Sequence, residues 1–351
     1  MPPDPARAAA WQRIKNNKRR DEVLSILRDL EPFRDEWEFS NAIQACGAVG
    51  DASRARGLLL DEMPRRRIRP SVYCFNACIK AVGNKGQWTD ALKLLDEMDA
   101  VGVKPTLHSF SAALSAMDKA SEPDRAVRLL KKVERPDSYC YCPVIHALGS
   151  ANRPDDAMDL LEEVIRRRVE KPLSCFNAAL HALATAGRVK QAEGLLERMR
   201  SYSVPANEVS YGSTINAAAK AGDWQAALRL LDEMSSRHIK PNTECFNSVL
   251  NALERGGQSE RAEKILSEME ASWHANAVSY NTVIASYGRE GGWERALSLL
   301  DRMDRKRREQ NNDRLKANTV TYNCVLNALE KGGQVDKCLE LLELMGGSSG
   351  G

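Results

Sequence analysis

The sequence predicts an all-α fold, a solenoid of tandem helical hairpins, and three observations carry that prediction. A block of about 35 residues recurs along the chain. Each block divides into two amphipathic segments of helical period. A glycine, or another residue that tolerates the left-handed conformation, closes the first segment of each block. The pattern is clearest between Glu208 and Asn242. Its first predicted helix runs from about Val209 to Lys220 and stops at Ala221-Gly222-Asp223; its second runs from about Trp224 to Ser236 and stops at Lys240-Pro241-Asn242. Gly222 can end a helix in the left-handed region, and Pro241 cannot continue one. One block further on, TECFNSVLNALERGGQSERAEKILSEME repeats the arrangement, and AVSYNTVIASYGREGGWERALSLLDRMD repeats it again.

Composition bounds the function more than it names it. At 351 residues a single core would be large, but in a stacked array each repeat packs only on its neighbours. Mean hydropathy of −0.46 predicts a soluble chain, and no apolar run approaches the ~20 residues that span a bilayer, so no membrane partner is expected. A net charge of +3 is only mildly basic; the placement of charge, not its total, has to identify a partner. Cys74, Cys140, Cys175 and Cys245 share one repeat position, just before the aromatic residue of the first helix. Equivalent positions lie a repeat apart and are poorly placed to bridge one another. Cys74…Cys78 and Cys140…Cys142 lack the CxxC spacing of zinc sites, with no HxE or HExxH nearby. Buried thiols in a reducing compartment are expected, with no metal and no cofactor.

Residues 1–35 predict a degenerate first hairpin, with Val23, Leu24, Ile26, Leu27 and Leu30 as a second-helix stripe. The opening MPPDPARAAAWQRIKNNKRR is Arg- and Ala-rich with one acid, Asp4, as in organelle leaders. Ser is absent, however, and Trp11 with Ile14 points to a helix, so no transit peptide is evident. Nine repeats then fill residues 36–345, beginning at Glu36, Val72, Leu107, Ser138, Leu173, Glu208, Thr243, Ala277 and Thr319. The Leu107 repeat is short, the Ala277 repeat carries an insertion around Arg305–Arg314, and residues 346–351 predict a flexible Gly/Ser tail.

Aligning the repeats separates core from surface. The fourth position is always aromatic, from Phe39 to Tyr322, and the eighth is always Ile or Leu, from Ile43 to Leu326. That spacing places them on one face of the first helix. In the second helix Ala55, Ala91, Ala126, Ala157, Ala192, Ala227, Ala262 and Ala296 recur, small enough for two helices to approach closely, and Leu, Met and Val follow. Trp88, Trp224 and Trp293 share one position at the start of the second helix and read as core. Gly50, Gly86, Gly187, Gly222, Gly257, Gly291 and Gly333 coincide at the hairpin turn, replaced by Asn152 and Ser121 in two repeats.

A second stripe is left on the first helix, at positions two, five, nine and thirteen, and it is polar. Position five reads Ser40, Asn76, Ser111, Cys142, Asn177, Gly212, Asn247, Asn281 and Asn323. Position thirteen is basic in five repeats: Lys119, Lys220, Arg255, Arg289 and Lys331. Asn is a mediocre helix former, so its recurrence at one helical position requires a reason. An Asn ladder bonding between neighbouring repeats is one; it leaves the basic row unexplained. The Arg65–Arg67, Arg166–Arg168 and Arg305–Arg308 clusters end second helices and read as solvated charge suited to the helix dipole.

Repeats such as VSYNTVIASYGREGGWERALSLLDRM and VTYNCVLNALEKGGQVDKCLELLELM resemble pentatricopeptide repeats, and the match runs from Glu36 to Met345. The resemblance implies a right-handed superhelix that binds single-stranded RNA, with first helices lining the groove and about one base read per repeat. It implies that position five and the last residue of each repeat select the base. The selecting pairs are then Ser40/Ser71, Asn76/Thr106, Ser111/Asp137, Cys142/Pro172, Asn177/Asn207, Gly212/Asn242, Asn247/Asn276 and Asn281/Asn318, with Asn323 in a repeat cut short before its partner. It implies that position two clamps the base, through Trp37, Tyr73, His108, Tyr139, Val209, Val278 and Val320, whereas Ser174 and Glu244 depart from the pattern. Lys119, Lys220, Arg255, Arg289 and Lys331 are the implied phosphate contacts. By the family's code Ser with Asp favours G, Gly with Asn favours A, and Asn with Asn or Thr favours a pyrimidine, C for Asn with Asn. Ser40/Ser71 and Cys142/Pro172 fall outside it. The implied site from the Val72 repeat onward is 5′-pyrimidine-G-any-pyrimidine-A-pyrimidine-pyrimidine-3′. A chloroplast or mitochondrial location is likewise implied.

A tetratricopeptide-like scaffold for a protein or peptide shares the period and the hairpins. Its W-x-x-L-G-x-x-Y spacing is missing here, where Trp opens the second helix instead. The HxE…CxxC of a zinc deaminase is also missing, so no enzyme activity is expected. No polar capping helix follows Met345, which predicts a longer chain, or docking of this end on a protein or a second copy.

Overall fold

The computed structural model describes residues 5–17 and 19–347, and among these every regular element is helical. Residues 1–4 and 18 of the N-terminal hairpin, and 348–351 of the Gly/Ser tail, lie outside the described residues. Contacts divide the chain into two compact units, Met1–Ala182 and Leu183–Gly351. The first begins with helices Pro5–Asn16 and Arg20–Leu30. Four hairpins follow, whose first helices are Glu36–Ala48, Val72–Gly83, Leu107–Lys119 and Ser138–Ser150. The second contains Val189–Ser201 and four hairpins opened by Glu208–Ala221, Thr243–Arg255, Ala277–Arg289 and Thr319–Lys331. Leu173–Thr185 belongs to both. Within each unit a first helix packs on its own second helix and on the first helix of the next repeat.

Local chemistry sets each boundary. The last residue of a repeat is the N-cap of the next first helix: Asp35, Asp137 and Asn242 accept from the backbone N–H three residues on. The hairpin turn takes φ +76° at Gly50, +74° at Gly222 and +56° at Asn152, the left-handed values expected of those residues. A second left-handed position follows the second helices at Arg67, Arg168, Ser203, His238 and Trp273. Glycine holds it at Gly102 alone among these repeats, so sequence inspection misses it.

The core follows the predicted stripe. Phe39, Phe75, Tyr141, Phe176, Tyr211 and Tyr280 are buried, as are the recurring alanines. Neighbouring first helices approach through small residues at positions twelve and ten. A Cβ on Gly47 would lie 2.9 Å from Ala81 Cβ, and one on Gly149 would lie 2.7 Å from Ala182 Cβ. This close packing turns positions two, five, nine and thirteen to one surface within each unit. In the first unit Arg7 pairs with the buried Glu38 at 2.7 Å, fixing the N-terminal helix to the Glu36 repeat.

One expectation changes. Trp88, Trp224 and Trp293 are half-buried, not core; each ring carries a cation from the next second helix, Arg125 at 4.3 Å, Arg261 at 4.4 Å and Lys337 at 3.7 Å. The insertion after Ala277 lengthens the second helix to Trp293–Gln310 and adds a short turn at Asp313–Leu315, so it forms structure of its own. No described helix is long and apolar enough to cross a membrane.

Candidate nucleic-acid interface

Position two stands clear of the core in both units. Trp37, Tyr73 and Tyr139 are 56%, 77% and 70% exposed, and Val209, Val278 and Val320 each exceed half. His108 is exposed too, as are Ser174 and Glu244. Large apolar groups held in water on a regular row are what a stacking or clamping surface requires.

Position five lies lower. Asn76 and Asn281 are buried, Ser40, Ser111, Cys142, Asn177, Gly212 and Asn247 are half-buried, and Asn323 is exposed. Around Tyr73 and Asn76 a cavity of about 710 Å³ opens, bounded by Ser40 and Gln44 on one helix and by Thr106 and His108 on the other side.

The implied selecting pairs meet through a third residue. Ser109 Oγ donates to Asn76 Oδ1 at 2.6 Å and lies 3.2 Å from Thr106 Oγ1. In the second unit Ser279 Oγ donates to Asn247 Oδ1 at 2.8 Å and lies 3.1 Å from Asn276 Oδ1. Asn281 and Asn318 are not joined this way: Thr321 bonds Asn318, and Asn281 Oδ1 is buried with no partner. Ser71 Oγ turns to Cys74 Sγ, Ser111 Oγ donates to the His108 carbonyl, and Cys142 Sγ faces the Ser174 carbonyl. Asn207 caps Ser210, Asp137 caps Cys140, and Pro172 has no polar side-chain atom. The amide of Asn242 donates to Glu208 while its oxygen caps Cys245. Asn76 and Asn247 therefore bond to the next repeat, but through hydroxyls, not as an Asn ladder. Thr106, Asp137, Asn207, Asn242, Asn276 and Asn318 have a capping duty that the sequence reading did not assign them.

The position-thirteen cations are exposed, and Lys119, Lys220, Arg255 and Arg289 lean on the preceding first helix. Lys119 Nζ donates to Asn84 Oδ1 at 2.8 Å, Lys220 Nζ to the Thr185 carbonyl at 3.2 Å and Arg255 to the Lys220 carbonyl at 3.0 Å. Arg289 pairs with Glu254 at 2.9 Å, and Lys331 is exposed. Such cations complement the helix C-terminus and keep their charge on the surface. Position nine adds His146, whose ring stacks on His181 at 5.0 Å and bonds Asp118 at 2.8 Å. The Asp118 carboxylate raises the His146 pKa against the opposing effect of burial.

Cys46, Cys74, Cys78, Cys140, Cys175 and Cys245 are buried, as expected, whereas Cys142, Cys324 and Cys338 depart from that expectation and are half-buried. Among the described residues no His, Cys, Asp and Glu group has the arrangement to hold a metal ion.

The comparisons with known proteins agree with this geometry. Family models described as "Pentatricopeptide repeat-containing protein", "Pentatricopeptide repeat domain" and "PPR repeat" match residues 173–303, 58–119, and 139–169 with 320–349. The solved pentatricopeptide repeat protein PPR10 from maize superposes with a TM-score of 0.76 at 22% identity, over 92% of this chain and 46% of that one. The structure of PPR10 in complex with an 18-nt psaJ RNA element superposes with a TM-score of 0.70 at 22% identity, over 92% and 47%. The chain thus spans about half the length of these neighbours. No curated protein matches it. With hairpins, turn residues and polar stripe all in the family's register, the chain belongs to the pentatricopeptide repeat family.

Proposed function

We propose that this chain binds single-stranded RNA in a sequence-selective manner, one base to a repeat, and does so without catalysing a reaction. One observation carries the reading. Exposed position-two side chains rise above position-five residues that are buried or half-buried from Ser40 to Asn281, and in the first unit they border the cavity at Tyr73 and Asn76. A base clamped there is worth ~1–3 kcal/mol, and the polar group beneath it reads its edge. The solved maize relative that carries RNA supports the partner class. Bound RNA is shielded from nucleases or held unfolded, which requires no reacting group. A chloroplast or mitochondrial location goes with this reading.

Selection from a random single-stranded RNA pool tests it. The expected outcome is G and A three registers apart, with pyrimidines after the A. Tight binding without that pattern keeps RNA as ligand and removes the base assignments; no retention at moderate salt removes both.

A further inference from the structure

In two repeats the third residue of the first helix bonds both its own N-cap and the position-five Asn of the preceding repeat. We propose that it is also a positioning residue for base selection: in a repeat that reads with Asn at position five, the hydroxyl three residues into the following repeat fixes which end of that Asn amide meets the base. The proposal rests on the RNA-binding reading above.

The geometry is direct in two repeats. Ser109 accepts the Thr106 N–H and gives its single proton to Asn76 Oδ1 at 2.6 Å. Ser279 accepts the Asn276 N–H and donates to Asn247 Oδ1 at 2.8 Å. A hydroxyl has one donor, and in each case the position-five oxygen is its nearer acceptor. With Oδ1 so engaged, the amide presents Nδ2 as its hydrogen-bonding end. A donor there matches the O2 of either pyrimidine and the N3 of cytosine.

The sequence couples the two positions throughout. Asn76, Asn177, Asn247 and Asn281 are followed in the next repeat by Ser109, Ser210, Ser279 and Thr321, although the Thr321 hydroxyl donates to Asn318 and leaves Asn281 Oδ1 without a partner. Ser40, Ser111, Cys142 and Gly212 are followed by Cys74, Cys140, Cys175 and Cys245. Capping alone does not account for this division. Asn207 and Asn276 are followed by Ser at the third position, but Asn242 is followed by Cys245, and the repeat that Asn242 closes carries Gly212 at position five. A thiol is a weak donor. The thiols of Cys140 and Cys175 point to the backbone carbonyls of Leu107 and Ser138, at 3.7 and 3.6 Å, not to position five. A Cβ on Gly212 would lie 3.2 Å from Cys245 Sγ, so an Asn there needs a smaller, donating neighbour.

The test measures the affinity of the full chain for RNAs that differ only in the base read by the Thr243 repeat, for wild type, Ser279→Ala and Ser279→Thr. Ser279→Ala should lower the pyrimidine preference at that register about tenfold, the size of one oriented hydrogen bond, while preferences at other registers hold; Ser279→Thr should retain most of it. A uniform loss of affinity for every base would leave only the cap and overturn the proposal. A gain-of-function pair completes it: Gly212→Asn with Cys245→Ser should move the Glu208 register from A to a pyrimidine, and Gly212→Asn alone should not. A switch by Gly212→Asn alone overturns the proposal while leaving RNA binding intact. No binding of any RNA by wild type removes the RNA reading itself and this proposal with it.

Discussion

The Tyr141 hydroxyl donates to Glu163 Oε1 at 3.1 Å, tying the aromatic position of a first helix to the second helix of the same repeat. Tyr211 and Glu233 repeat the bond at 3.1 Å. The Val72 repeat has the acid without the donor: Phe75 occupies the aromatic position, and Glu97 Oε2 is buried with no partner. Burial raises the Glu97 pKa. A carboxyl raised in the folded state contributes stability at low pH and loses it as pH rises through the folded value. Phe75→Tyr should therefore stabilise the protein by about 1 kcal/mol at neutral pH. It should also flatten the loss of stability above the ordinary glutamate range. Chemical denaturation at two pH values measures both, and a destabilised variant would show that the new hydroxyl does not reach Glu97.

A tryptophan and a glycine form the joint between adjacent repeats. A Cβ on Gly256 would lie 2.3 Å from Trp224 Cδ1, and one on Gly332 would lie 2.2 Å from Trp293 Cδ1. Neither glycine has positive φ, at −82° and −79°, so alanine fits the backbone and only the ring obstructs it. Gly256→Ala should cost about 1–3 kcal/mol. In Trp224→Ala the same change should be neutral or favourable, and a double-mutant cycle from denaturation midpoints reads the coupling.

His146 makes the polar face of the first unit pH-sensitive. Its pKa is raised by the bond to Asp118. The stability it adds is fully present below the ordinary histidine value and is lost as pH rises through the raised one. The protonated ring also adds a cation to that face. RNA affinity should rise a few-fold as pH falls through this window, and His146→Gln should remove the rise; binding isotherms at constant salt decide it.

Salt dependence counts the phosphate contacts. Five position-thirteen cations predict a slope of log affinity against log salt near about −3.5 for a single strand, about 0.7 for each. Lys220→Ala should bring the slope about 0.7 closer to zero. Arg289 is held by Glu254 at 2.9 Å, so Glu254→Gln should steepen the slope by releasing it. An unchanged slope in both variants would remove this row from the interface.

The sequence by itself determined the repeat, the hairpin and the polar face, because these follow from local rules. The 3.6-residue period places Phe39 and Ile43 on one side, Gly222 accepts a conformation most residues avoid, and Pro241 stops a helix wherever it occurs. Tertiary structure decided what those residues touch across repeats, where sequence separation carries no signal. The bond from Ser279 to Asn247 spans 32 positions, and that from Lys220 to Thr185 spans 35. Trp224 reads as core from its repeat position, yet its ring is half-buried at the joint between repeats, with Arg261 stacked on it and Gly256 against its edge. Register along one helix is a property of the chain; contact between helices depends on how closely Gly47 and Ala81 let them approach.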